Sequence, residues 1–151
     1  MTNPSQKILT VVLPAYNERE NVDVLVAALH KADVHNQIKR IIYVDDDSPD
    51  STSEHIKSSQ YPIDVLCIHR IGRQGLSSAV VEGILLADTK YVAVMDADGQ
   101  HAPHDLMKML QVAIAEGDQL VIGSRFKNQA TVETHVGLRS LLSKVGNRLA
   151  N

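Results

Sequence analysis

Five short apolar runs punctuate the chain, and between them apolar residues recur at helical spacing. Ile8–Leu13 is an unbroken β-type run ending at Pro14, which predicts a first strand. Asn17, with Glu20 three residues on, has the form of a capping box with Asn in place of Ser or Thr. The helix expected next carries Val22, Leu25, Val26 and Leu29 as one apolar stripe. Ile41, Ile42 and Val44 predict a second strand that stops at Asp45-Asp46-Asp47. Ser48-Pro49 then offers a cap residue and a proline for a short helix ending before Tyr61-Pro62.

Ile63–Ile68 reads as a third strand. A polar loop with Gly72 and Gly75 leads to a helix of small residues from Ser77 to Ala87. Tyr91–Met95 is apolar and uncharged, the pattern of a strand covered on both faces. Pro103 starts another helix, with Leu106, Met109, Leu110 and Ala113 inward, and Gly117 ends it. Leu120–Ile122 predicts a fifth strand, turning at Gly123-Ser124-Arg125. A last helix is expected from about Gly137. Its stripe of Leu138, Leu141, Leu142, Val145 and Leu149 runs almost to the final residue, which favours a further downstream segment to pack against.

Strand and helix alternate throughout with short connections. The expected fold is therefore α/β: a Rossmann-like, mostly parallel sheet with helices on both faces and right-handed crossovers. At 151 residues and 44% hydrophobic content, one domain spanning 1–151 with one core is expected. Aromatic content is 3% and there is no Trp, so that core is aliphatic. A net charge of -3 argues against nucleic acid as a partner. The single cysteine, Cys67, lies in an apolar run and reads as core filler, which fits a reducing cytoplasm. From Arg125 onward the charges are mostly basic, which would suit an anionic partner or a solvated helix face.

The chemistry gathers where the strands end. Pro14-Ala15-Tyr16-Asn17-Glu18 follows strand one, Asp45-Asp46-Asp47 follows strand two, and Asp96-Ala97-Asp98-Gly99-Gln100 follows strand four; Arg125 closes strand five. Ligands of open parallel sheets bind outside the carboxyl ends of the strands. Crowded carboxylates repel, so something cationic has to sit among them. A divalent ion carrying a diphosphate answers that need. Asp96, Asp98 and Gln100 offer hard oxygen donors for Mg²⁺ or Mn²⁺. Arg125 is placed to grip a phosphate oxygen, Tyr16 to cover a base or ribose face, and Asp46 to accept from a ring N–H. Plainer roles compete. Asp-x-Asp also makes solvated turns, Asp45 a cap or loop brace, Glu18 a helix start, Tyr16 a loop aromatic and Arg125 a surface charge.

Taken together, Leu13–Asn21, Val44–Asp50, Gly75–Ala79, Met95–His101 and Ile122–Arg125 resemble the family-two inverting glycosyltransferases, in their dolichol-phosphate mannosyltransferase (polyprenyl-phosphate glycosyltransferase) branch. The resemblance implies the nucleotide-sugar-binding GT-A fold and a divalent metal. By position, Pro14, Tyr16, Glu18, Val44 and Asp46 would line the nucleoside pocket. Asp96, Ala97 and Asp98 would meet the diphosphate and metal, and Gln100 would complete the metal shell. Arg125 would contact the donor, and Arg139, with Ser143 nearby, would face the acceptor phosphate, making Asp98 and Arg139 the catalytic pair. Gly99 departs from the branch, which usually has a larger apolar residue there. Members also continue past residue 151 into acceptor-binding and membrane-contacting helices, so the chain looks like their amino-terminal catalytic portion.

The implied reaction takes a hexose from GDP-mannose, or a UDP-glucose-type donor, to a polyprenyl or dolichyl phosphate at the cytoplasmic membrane face. His101 and His104 are candidate bases only for a hydroxyl acceptor and are otherwise loop residues. The competing readings are a donor-binding remnant without transfer, a nucleotidyltransferase and a phosphoacceptor receiver domain. A nucleotidyltransferase would show a Gly-rich basic loop after strand one, and a receiver would place its acidic cluster there. Neither pattern is present.

Overall fold

The structure is a computed structural model that describes residues 7–117 and 120–123. By compactness the chain divides between Val121 and Ile122, and the fold described is that of the first unit. Its elements are β1 (Leu9–Ala15), α1 (Arg19–Ala32), β2 (Ile38–Asp45), α2 (Thr52–Ser58), β3 (Asp64–His69), α3 (Leu76–Leu85), β4 (Tyr91–Val94) and α4 (Pro103–Glu116). All the strands pair in parallel, in the order β3-β2-β1-β4. The strand order reverses at β1, so a crevice is expected above the carboxyl ends of β1 and β4.

Side chains alternate across the sheet, and each face packs differently. Val11, Leu13, Ile41 and Tyr43 meet Val22, Leu25, Val26 and Leu29 of α1, Ile56 of α2, and Leu106, Met107 and Leu110 of α4 in the larger core. Val12, Ile42 and Val44 meet Ala79 of α3 in a smaller one. Each fully buried Val, Leu or Ile contributes about 1.5–3 kcal/mol. Gly83 explains how α3 lies so close to the sheet. A Cβ at that position would come within 2.3 Å of Val12 Cγ1 and 3.2 Å of Val44 Cγ2.

Pro14 sits inside β1 instead of ending it. The Ala15 carbonyl accepts from Asp46 N on the β2 side, and the Val12 carbonyl from Met95 N on the β4 side. Pro14 shares the parity of Val12, so its missing donor faces β4 where that strand has already stopped.

Several expectations are corrected. The N-cap of α1 is Glu18, because Asn17 takes a left-handed backbone (φ 60°) and gives its N–H to Ser48 Oγ at 2.9 Å. The Ser48-Pro49 start for α2 gives way to Thr52, because Ser48 is bound to Asp45. Asp50 instead accepts from Thr52 N and Thr52 Oγ1, at 3.0 and 2.5 Å. In α4 it is Met107 that is buried, while Met109 is half-buried. The strand over Leu120–Ile122 is absent: residues 120–123 carry no strand, and a three-residue run is at the short limit of strand length. Nor, among the described residues, is β4 covered on both faces. Val92 and Val94 are 38% and 46% exposed, because α3 lies over β1 and β2. The expected helix from Gly137 lies outside the described residues.

Candidate active site

β1 lies between β2 and β4, so three carboxyl-end segments share one rim of the sheet. Pro14, Ala15, Tyr16, Asp46 and Leu76 line a pocket of about 150 Å³ there. Tyr16 and Leu76 are 50% and 63% exposed, two apolar surfaces beside a nearly buried carboxylate. Val44 is fully buried beneath, in the sheet. Glu18 is tied into the frame: its N–H donates to Thr52 Oγ1 at 3.1 Å, and its carboxylate accepts from Asn21 Nδ2 at 2.6 Å.

The three aspartates after β2 are each held by the protein itself. Asp45 is fully buried and accepts from the Ser48 hydroxyl. Asp46 Oδ2 accepts from Gly75 N at 2.7 Å, and its Oδ1 lies 2.9 Å from Arg70 Nε. The Arg70 Nε–H points off the line to Oδ1, so this contact is an ion pair more than a directed hydrogen bond. Asp47 accepts from Gly72 N at 3.1 Å and pairs with His69 Nε2 at 2.9 Å. The Gly72 N–H, followed by the His69 contact, holds the Asp47 carboxyl below the usual carboxylate range. Within this cluster the partners are the protein's own: the Arg70 guanidinium, at the end of β3, stands beside Asp46, and the His69 ring beside Asp47.

The residues after β4 are arranged otherwise. Asp96, Asp98 and His101 each offer one ligand atom, all within 4.8 Å of one another. His101 Nδ1 is 3.7 Å from Asp96 Oδ2, and Asp98 Oδ1 accepts from Gln100 N at 3.0 Å. Asp96 is exposed, Asp98 half-buried and Ala97 buried in the larger core, anchoring the loop. Among the described residues no lysine or arginine pairs with either aspartate. Gly99 has φ 71°, a left-handed conformation in which a side chain would be strained, so the residue that departs from the branch suits this loop's backbone.

Sequence reasoning missed His69, Arg70 and Leu76 as parts of this rim. A histidine and an arginine at the end of strand three, where the strand before it ends in three aspartates, were the available signal. His101, read as a base or a loop residue, stands with the carboxylates instead. His104 is exposed and outside that cluster. Cys67 is half-buried with Sγ 3.6 Å from Ser53 Oγ, and burial pushes its thiol up, away from nucleophilic use. Arg125, Arg139 and Ser143 lie outside the described residues.

The profile described as Glycosyl transferase family 2 matches residues 10–146. The chain belongs to this family. It is 41% identical over 138 residues to a dolichol-phosphate mannosyltransferase from Pyrococcus furiosus, covering 90% of this chain and 38% of that one. It is 38% identical to a polyprenol monophosphomannose synthase from Mycolicibacterium smegmatis, covering 95% of this chain and 54% of that one. The chain thus spans about two-fifths to one-half of these relatives.

A crystal structure of glucosyl-3-phosphoglycerate synthase from Mycobacterium tuberculosis, with Mn²⁺, UDP and glucosyl-3-phosphoglycerate, is similar in fold. The TM-score is 0.53 at 22% identity, covering 72% of this chain and 39% of that one. The described residues are accordingly an α/β, GT-A-like fold of the glycosyltransferase family, as the strand–helix alternation and the five motifs predict. No helix among the described residues is long and apolar enough to cross a membrane.

Proposed function

We propose that the chain carries the donor half of a metal-dependent inverting glycosyltransferase that moves mannose from GDP-mannose to a polyprenyl or dolichyl phosphate. One observation carries this reading. The Asp96, Asp98 and His101 ligand atoms cluster at the end of β4, across β1 from the pocket of Pro14, Ala15, Tyr16, Asp46 and Leu76. A nucleoside diphosphate needs both features, a ring site and a charge-neutralising site, a short distance apart.

The donor set fits a divalent ion. Two carboxylate oxygens and an imidazole nitrogen within 4.8 Å suit Mn²⁺, or Mg²⁺ with more oxygen ligands, and leave positions for phosphate oxygens. Gln100, expected as a ligand, has its backbone N–H on Asp98, and its side chain is close enough in sequence to join the set. When bound, the ion would supply electrostatic relief for the charge that gathers on the departing nucleoside diphosphate.

The chain's own residues do the rest. Tyr16 and Leu76 flank the ring, Asp46 accepts from a ring N–H, and Ala97 holds the carboxylates at the rim. A lipid phosphate is ionised at neutral pH, so it needs positioning and charge neutralisation in place of a general base. Attack on the anomeric carbon opposite the leaving diphosphate inverts configuration. Arg125 on the donor, and Arg139 with Ser143 at the acceptor phosphate, are assigned by resemblance. Such an acceptor would bring this domain to the cytoplasmic face of a membrane.

A UDP-sugar donor is the second reading, and the UDP in the structural neighbour favours it. A donor-binding domain that needs further chain for transfer is the third, because the chain spans only part of its relatives. Calorimetric titration of GDP-mannose and of UDP-glucose, with and without Mn²⁺, tests the proposal. GDP-mannose binding only with Mn²⁺ is the expected result; UDP-glucose alone binding supports the second reading. Binding of neither, or binding indifferent to the metal, overturns the donor site.

A further inference from the structure

Arg70 is among the largest fully buried side chains, 1% exposed, yet it is charged. Its Nε pairs with Asp46 Oδ1 at 2.9 Å, Nη2 donates to Ser78 Oγ at 2.9 Å, and Nη1 lies 3.8 Å from Glu82 Oε1. Its backbone N–H donates to the Asp45 carbonyl at 2.8 Å. Ser78 Oγ in turn donates to the Gly75 carbonyl at 2.9 Å, and Gly75 N–H binds Asp46 Oδ2 at 2.7 Å. One guanidinium therefore closes a ring of contacts that joins the loop after β2, the loop after β3 and the start of α3.

Such a group is a poor device for stability. Taking two charges out of water costs about as much as their attraction returns, and apolar replacements of whole buried pairs are often neutral or better. What the ring does fix is geometry. Asp46 and Leu76, the carboxylate and one apolar wall of the pocket, both sit on segments that Arg70 binds together. Asp46 Oδ1 is closed to solvent on the Arg70 side. That leaves Oδ2, with one lone pair on Gly75 N–H, as the oxygen able to accept from a ligand ring.

We infer that Arg70 is a positioning residue for base selection: it never touches the nucleotide, and it sets which ring the pocket accepts by fixing Asp46 against Leu76. The inference rests on the donor-site reading above and adds to it the residue that determines specificity. A planar guanidinium reaches Asp46, Ser78 and Glu82 together, whereas an ammonium is a single point of charge. Arg70→Lys keeps the charge and loses the fork.

The test measures the affinities of GDP, UDP, ADP and CDP, and of pyrophosphate, with Mn²⁺ by calorimetry. The wild-type chain should prefer one base by about tenfold or more, the yield of one hydrogen bond to a charged group. In Arg70→Lys the preference should shrink to within about threefold, while pyrophosphate affinity stays unchanged. A folded Arg70→Lys that keeps the wild-type ratio overturns the inference and leaves the donor site standing. A wild-type chain that binds no nucleoside diphosphate, or binds all four alike, overturns the base site itself. Should Arg70→Lys fail to fold, Ser78→Ala carries the test. It removes one of the fork's acceptors and should reduce the preference by about two- to fivefold; an unaltered ratio there overturns the inference.

Discussion

Two acidic clusters flank β1, and they have opposite electrostatic fates. After β2, Asp45, Asp46 and Asp47 are held from within by the Arg70 guanidinium and by hydrogen bonds from Ser48, His69 and the backbone N–H groups of Gly72 and Gly75. After β4, Asp96 and Asp98 have His101 beside them and no lysine or arginine among the described residues. The difference teaches that a run of carboxylates is no signature of a metal by itself. What matters is whether the fold has already supplied the opposite charge. The first cluster is architecture that shapes a pocket; the second, among the described residues, has no such cation, and that is the ground of the metal site proposed above.

The largest effect should come from breaking the first cluster. Arg70→Met leaves Asp46, 8% exposed, without its cation and should cost about 3–5 kcal/mol in urea unfolding. A loss below about 1 kcal/mol would show that water, not Arg70, balances that carboxylate. Gly83→Ala is the control that strikes the packing beneath β1 and β2, away from the cluster after β4. Its Cβ meets Val12 Cγ1 at 2.3 Å, so α3 has to lift, at about 1–3 kcal/mol, without changing Mn²⁺ affinity.

A smaller effect is expected from pH. The Asp47 carboxyl is held below its ordinary range in the folded chain. Its contribution is therefore fully present above the unfolded carboxylate value and is lost as pH falls through the lowered native one. Asp47→Asn should flatten the acid side of the stability profile below about pH 4, and an unchanged profile would remove Asp47 from the clasp. The smallest effect belongs to the other cluster. Without metal, Asp98→Ala should alter stability by no more than about 0.5 kcal/mol, because nothing buried depends on it.

Much of this frame was legible in the chain. The stripe Val22, Leu25, Val26 and Leu29 is buried as its spacing predicts, and Pro103 and Gly117 bound α4 as their backbone chemistry predicts. These signals are local, within one or two helical turns. The sources of error were non-local. Arg70 lies far along the chain from Asp46, and the partnership exists only because β3 pairs beside β2 in register with Asp45 opposite His69. Ser48 has the look of a cap until Asp45 takes its hydroxyl. Val92 and Val94 look like core until α3 is seen to lie over β1 and β2. That the acidic clusters share one rim of the sheet was readable, and the different surroundings of the two were not.

The most direct measurement is Mn²⁺ binding to the wild-type chain, Asp98→Ala and Asp47→Asn, each followed by calorimetry and by thermal stabilisation. Asp98→Ala should lose the metal and its stabilisation, roughly 2.7 kcal/mol at a hundredfold excess over Kd, while Asp47→Asn keeps both. Equal loss in the two variants, or metal retained by Asp98→Ala and lost by Asp47→Asn, would contradict the proposed metal site.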